Sequence, residues 1–148
     1  MKLSMCVAAL LVTAVVARAA EEGLASVDAA WAKAMKSNSV DQVVACYADD
    51  AVGWFPDTAE AKGAKAIRAG YESFLKGSTI LDAGTSDTHF AKAGKLSVGW
   101  GKYSITVVDK TTGKTNVWSG RFTGVAEKRD GRWVYIVDHA SAEPAPKP

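Results

Sequence analysis

The feature that most restricts the folds open to this chain is its second half. Segments 79–90, 95–109, 115–128 and 132–141 are long and rich in Val, Ile, Thr and aromatic residues, and only the turn signals Ala93-Gly94, Thr112-Gly113 and Asp130-Gly131 separate them. Connections that short join strands running in opposite directions, because a parallel pair needs a crossover of a dozen residues or more. An antiparallel meander is predicted. The first half has a different texture. Residues 22–37 carry Leu24, Val27, Ala30, Trp31, Ala34 and Met35 near three-and-four spacing, which predicts an amphipathic helix with Trp31 on its buried face. Ser39 with Gln42 three positions on makes a capping box that opens a second helix running through Tyr47. Residues 51–55 read as extended and stop at Pro56, and Gly63 precedes a third helix over 64–76 with Ile67, Tyr71, Phe74 and Leu75 apolar. Helices first and strands afterwards predict an α+β domain whose curved sheet wraps the helices. Gly99, Gly101, Gly120 and Gly124 fall inside strands, where a missing side chain marks a bulge, a bend or room for a ligand.

The ends read differently from the middle. Residues 1–20 begin with Lys2, run through an apolar block over 5–17 and reach the small-residue pattern Ala17-Arg18-Ala19, which reads as a cleavable signal peptide and implies a secreted or periplasmic protein. The block is shorter than the ~20 residues a spanning helix needs, so no membrane association is expected once the signal is removed. That division gives a signal peptide over 1–20, a domain over 21–142 and a Pro-rich disordered tail over 143–148, whose prolines cannot continue a sheet. The 18 Lys plus Arg stand against 16 Asp plus Glu, and loss of Lys2 and Arg18 leaves 16 against 16, so the basic excess of a nucleic-acid binder is missing. Cys6 belongs to the signal. Cys46, inside the apolar run Val43-Val44-Ala45-Cys46-Tyr47, then has no internal disulfide partner and reads as a small core residue. Asp49-Asp50 at a helix-to-strand junction reads as a cap rather than a metal site, since no His or Cys stands at ligand spacing; neither a metal nor a cofactor is expected. Lys62, Lys65 and Arg68 read as a solvated helix face.

Tyr47-Ala48-Asp49-Asp50-Ala51 with Pro56, Gly63, Ala66-Ile67-Arg68 and Phe74 resembles the amino-terminal half of ketosteroid isomerases. Gly120-Arg121-Phe122-Thr123, Lys128-Arg129-Asp130-Gly131-Arg132-Trp133 and Asp138-His139-Ala140-Ser141 are similar to the carboxy-terminal half of SnoaL-like and calcium/calmodulin-dependent kinase II association domains. Together these resemble the nuclear transport factor 2-like superfamily. The resemblance implies a cone-shaped fold with three N-terminal helices packed on a strongly curved antiparallel sheet, and a homodimer formed through the outer sheet face. It does not imply one function, because the fold hosts isomerases, cyclases, dehydratases, hydrolases and non-catalytic domains. Ketosteroid isomerisation needs a carboxylate base, a tyrosine and a protonated aspartic acid. An ungapped alignment on Tyr47 to Pro56 puts the base on Phe55 and the tyrosine on Trp31, and the second acid falls near Thr123, so that chemistry is not expected.

What remains is Asp138. Consecutive strand residues face opposite sides, so Asp138 and His139 cannot form one dyad without a bulge. A two-residue turn at Asp130-Gly131 pairs Arg129 with Arg132 and sets Asp138 opposite Thr123, diagonal to Arg121. A three-residue turn pairs Lys128 with Arg132, sets Asp138 opposite Phe122 and brings His139 to Arg121. The resemblance implies that the parity of Ile136, Asp138 and Ala140 lines the cavity, with His139 on the outer face as a sheet or interface residue. Asp138 is thus the candidate general base, its pKa raised by desolvation, or else a structural carboxylate paired with Arg121. Trp31, Tyr47, Phe55, Tyr71, Trp100, Trp118, Phe122 and Ile136 complete the candidate pocket lining. Two classes follow: a domain that binds a small apolar or aromatic molecule without catalysis, or a SnoaL-like isomerase, cyclase or hydrolase in which Asp138 moves a proton.

Overall fold

Leu24, Val27, Trp31, Ala34 and Met35 recur every three or four residues and are all buried, so they lay one stripe of helix α1 (Leu24–Lys36) against the sheet. The helix stops at Asn38, whose backbone takes φ 54°. Its side chain closes a two-point clamp on the first sheet strand of the meander: Oδ1 accepts from Ile80 N at 2.7 Å and Nδ2 donates to Ile80 O at 2.9 Å. Helix α2 (Val40–Val44) starts from the expected cap, with Ser39 Oγ accepting from Gln42 N at 3.4 Å. It is shorter than the sequence suggested. The backbone has left the helix before Tyr47, which opens strand β1 (Tyr47–Trp54) and bonds into the sheet instead. Cys46, between the two, is buried as expected, and burial pushes its thiol up to about 11. A short strand β2 (Ala61–Lys62) folds back on β1, and Gly63, at φ 82°, leads into helix α3 (Ala64–Gly77). This structure, a computed structural model, describes residues 22–144; the expected signal segment lies outside them, as do the last four residues of the tail.

Strands β3 (Ser78–Ala93), β4 (Leu96–Asp109), β5 (Thr115–Arg129) and β6 (Arg132–Ala142) form the predicted meander. The six strands lie in the order β2-β1-β6-β5-β4-β3, and β1 joins β6 in parallel, the one departure from an antiparallel sheet. Among the described residues β2 and β3 are the two edges, so the sheet curls without closing. Its bending has local causes. Register shifts interrupt the β3–β4 ladder between Ile80 and Asp82 and between Ser86 and His89, and the β5–β6 ladder between Val125 and Ala126. Gly99 and Gly124 are direct cross-strand partners, and the side chain of Leu24 sits over both. A Cβ on Gly99 would stand 2.6 Å from Leu24 Cδ2, so the bare backbone there admits the first turn of α1. Helices α1 and α3 therefore lie in the concave face and leave a hollow between them and β4, β5 and β6.

Candidate functional site

The hollow is a cavity of about 1040 Å³, with walls from α1, the 55–61 loop, α3, and strands β4 to β6. The hairpin before β6 decides what the last strand presents to it. Asp130 and Gly131 both take positive φ, 49° and 80°, the geometry of a two-residue turn that pairs Arg129 with Arg132. Further along, Val125 pairs with Val137 but Ala126 pairs with Tyr135, so Ile136 is an extra residue on β6. That bulge slides the register past both alternatives read from the sequence. Asp138 stands opposite Gly124, and His139 opposite Thr123. Asp138 therefore faces the cavity and His139 the outer surface. Arg121, paired across strands with Lys102 and Ser141, shares the outward parity of Thr123 and His139. No ion pair joins Arg121 to Asp138 among the described residues.

Asp138 is held by phenols instead. Tyr47 Oη donates to Asp138 Oδ2 at 2.6 Å, Tyr47 Oη lies 2.8 Å from Tyr71 Oη, and Trp31 Nε1 donates to Tyr71 Oη at 3.1 Å. With Asp138 ionised, Tyr47 spends its hydrogen on the carboxylate, so Tyr71 must donate to Tyr47 while it accepts from the indole. The result is a one-way chain of donors, Trp31 to Tyr71 to Tyr47 to Asp138. Burial raises Asp138 to about 6, opposed by the Tyr47 hydrogen bond and the nearby His139. Burial also drives the Tyr47 and Tyr71 hydroxyls well above the phenol range, with the negative Asp138 adding to it, so both remain protonated donors.

A second carboxyl shares the hollow. Asp28 lies on the buried stripe of α1, between Leu24 and Trp31, and is only 4% exposed. Tyr135 Oη donates to its Oδ1 at 2.5 Å, while its Oδ2 is buried without a partner. Burial raises its pKa to about 7; the Tyr135 hydrogen bond pulls the other way, and the charge of Asp138 pushes it further up. Sequence reasoning passed over this residue. The signal was present, since position 28 falls four after Leu24 and three before Trp31, a carboxylate inside an apolar stripe.

Of the candidate lining residues, Trp31, Phe55, Tyr71, Trp118, Phe122 and Asp138 line the cavity. Three do not. Tyr47 stands behind the wall and reaches the site only through its hydroxyl. Ile136 is the bulged residue and packs on the core, and Tyr135 takes its place at the wall. Trp100 is 47% exposed on the outer face, where it stacks on His89 at 5.8 Å between ring centroids. Its parity follows from pairing with Thr123, itself opposite the outward His139. Asp50 is tied to Arg129 at 2.5 Å rather than placed near the hollow. Among the described residues no three His, Cys, Asp or Glu side chains gather where they could hold a metal ion, and no helix is long and apolar enough to cross a membrane.

A curved, open sheet with helices in its concave face and a hollow between the two defines an α+β protein of the nuclear transport factor 2-like class. The chain belongs to the SnoaL-like domain family, whose profile matches residues 27–136. It is similar to a candidate calcium/calmodulin-dependent protein kinase II association domain from Xanthomonas campestris, at 27% identity and TM-score 0.73, over 82% of this chain and 86% of that one. A nuclear transport factor 2-like superfamily protein from Salmonella enterica shares the fold at 13% identity and TM-score 0.73, over 84% and 91% of the two chains. So does a ketosteroid isomerase-like protein from Erwinia carotovora, at 17% identity and TM-score 0.68, over 82% and 94%. No curated protein matches the chain.

Proposed function

We propose that this SnoaL-like domain binds one small, flat, apolar or aromatic molecule in its cavity, as a secreted or periplasmic protein once residues 1–20 are removed. The observation that carries this reading is the form of the hollow, which is large enough for a drug-sized ligand. Phe74 and Trp118 lie 5.1 Å apart between ring centroids, while Asp28 and the Asp138 chain bring polar atoms to the same space. Rings give contact area at little entropic cost, and two carboxyls give a direction. Trp31 and Trp118 both line the hollow, so their fluorescence reports occupancy. Titration with a naphthalene-sized ring compound should shift that emission in the wild type and much less in Trp118→Ala. Emission indifferent to every such compound would refute the reading.

The two raised carboxyls favour a second reading, that of an acid–base enzyme. Asp138, at about 6, is mostly ionised at neutral pH and accepts a proton from the carbon beside a carbonyl, the electron pair passing to the carbonyl oxygen. Asp28, at about 7, is protonated in a large share of molecules at neutral pH, and in those it donates a hydrogen bond to that oxygen until the proton returns to carbon. Asp138→Asn keeps the shape and removes the base, so turnover of a carbonyl substrate that survived the change would exclude this role. A homodimer through the outer sheet face accompanies either reading. Its support is a transverse row, Trp54, His139, Thr123, Trp100 and His89, that crosses five strands in register, with both indoles nearly half exposed. Light scattering that found a monomer at high concentration would refute it.

A further inference from the structure

Among the described residues, the charged side chains that line the hollow are all of one sign. Asp28 and Asp138 stand inside, Asp57, Glu60 and Glu143 line it with exposed side chains, and among the described residues no Lys, Arg or His belongs to the lining. Acidic groups alone do not make a site. What distinguishes this hollow is that the Asp28 carboxyl is buried within it and one of its oxygens has no hydrogen-bond partner. Buried polar atoms are ordinarily satisfied, and an exception calls for a missing partner. An ionised carboxyl oxygen accepts, so the partner argued for is a donor, and one able to lie among rings, because Trp31, Phe55, Tyr71 and Phe122 share the wall.

We propose that the ligand of this cavity is a protonated amine on a flat apolar or aromatic body, with its ammonium group between Asp28 and Asp138. The inference rests on the binding reading above and adds a charge to it. An ammonium supplies the hydrogen bonds and the positive charge that the lining lacks, and ring faces attract it further. A carboxylate or phosphate ligand would bring a further negative charge into a space with no counter-ion, at a desolvation cost nothing repays. The exposed acids at the rim lower the local potential for an approaching cation in the same sense.

Three naphthalene probes test the charge alone: 2-naphthylmethylamine, 2-naphthylmethanol and 2-naphthoate, titrated at pH 7.5 by isothermal calorimetry. The amine is expected to bind about tenfold or more tighter than the alcohol, and the naphthoate weakest of the three. Asp28→Asn should weaken the amine about tenfold and the alcohol much less, which narrows the gap between the two probes. Because that substitution also alters the interior, Glu60→Gln serves as a rim variant, expected to slow association of the amine and not of the alcohol. An alcohol that bound tighter than the amine would overturn the proposal and point to a neutral oxygen ligand held by protonated Asp28, while leaving the binding reading standing. An amine affinity equal in wild type and Asp28→Asn would also overturn it. Failure of all three probes would overturn this proposal and the binding reading together.

Discussion

Asp28 makes the pH dependence of stability unusual in sign. In the folded chain its carboxyl is raised from 3.8 to about 7 by burial, and Asp138 is raised from 3.8 to about 6. Between those limits the folded state holds protons that the unfolded chain has released, so stability falls as pH rises. For Asp28 alone the span from 3.8 to about 7 costs the fold about 4 kcal/mol above pH 7, at ~1.4 kcal/mol for each tenfold change in proton affinity. Asp138 acts in the same direction, and the two are coupled, so their costs do not add. The carboxylates of Asp50, Asp87 and Asp109 are lowered by their partners, lose their contribution only as pH falls below 3.8, and leave the window from pH 5 to 8 clear. Asp28→Asn keeps the acceptor for Tyr135 and abolishes the titration. Urea unfolding should therefore show wild-type stability declining steeply from pH 5 to 8, and the variant declining by only about 1 kcal/mol, the part of the Asp138 titration that lies above pH 5. The two should be similar at pH 5, and the variant should gain about 3 kcal/mol at pH 8. A wild type whose stability rose over that window, or a variant destabilised equally at both ends, would refute the reasoning.

Three further outcomes are expected. Tyr47→Phe removes the hydrogen bond that holds Asp138 down, so the Asp138 carboxyl, followed by carbon NMR, should titrate above about 6, with ~1 kcal/mol of stability lost. Trp100→Ala should leave ring-compound affinity unchanged while Trp118→Ala reduces it about tenfold, since only the second indole lines the hollow; equal effects in a fluorescence titration would contradict the assigned faces. Gly120→Ala sets a Cβ 1.9 Å from the carbonyl oxygen of Ser141, a backbone atom that cannot swing aside, and should cost about 3 kcal/mol in thermal unfolding; an unchanged midpoint would mean that β5 and β6 are not packed as described.

The elements were legible because they rest on local physics. The three-and-four spacing of Leu24, Val27, Trp31 and Met35 and the glycine turns at 94, 113 and 131 report the near neighbours of each residue, and those dictated helices, strands and their order. The inward face of Asp138 was also inferred, though the neighbours given to it were not the ones it has. Tyr47 shows the limit: the helix opened by the Ser39–Gln42 capping box was expected to run through it, but its backbone pairs with β6 and its hydroxyl with Asp138, partners distant in sequence. The bulge at Ile136 is a second case. It changes every cross-strand neighbour beyond it and leaves no mark on composition or alternation.

The sequence by itself therefore determined the class of fold, the burial of the helix stripes and the presence of an acid near the end of the last strand. Only the tertiary structure decided that Asp28 and Asp138 share one hollow, that phenols rather than Arg121 hold them, and that among the described residues no cation lines the wall. The physical reason is that helix and strand periods are short-range, whereas the charge state of a buried acid depends on what distant segments bring to it.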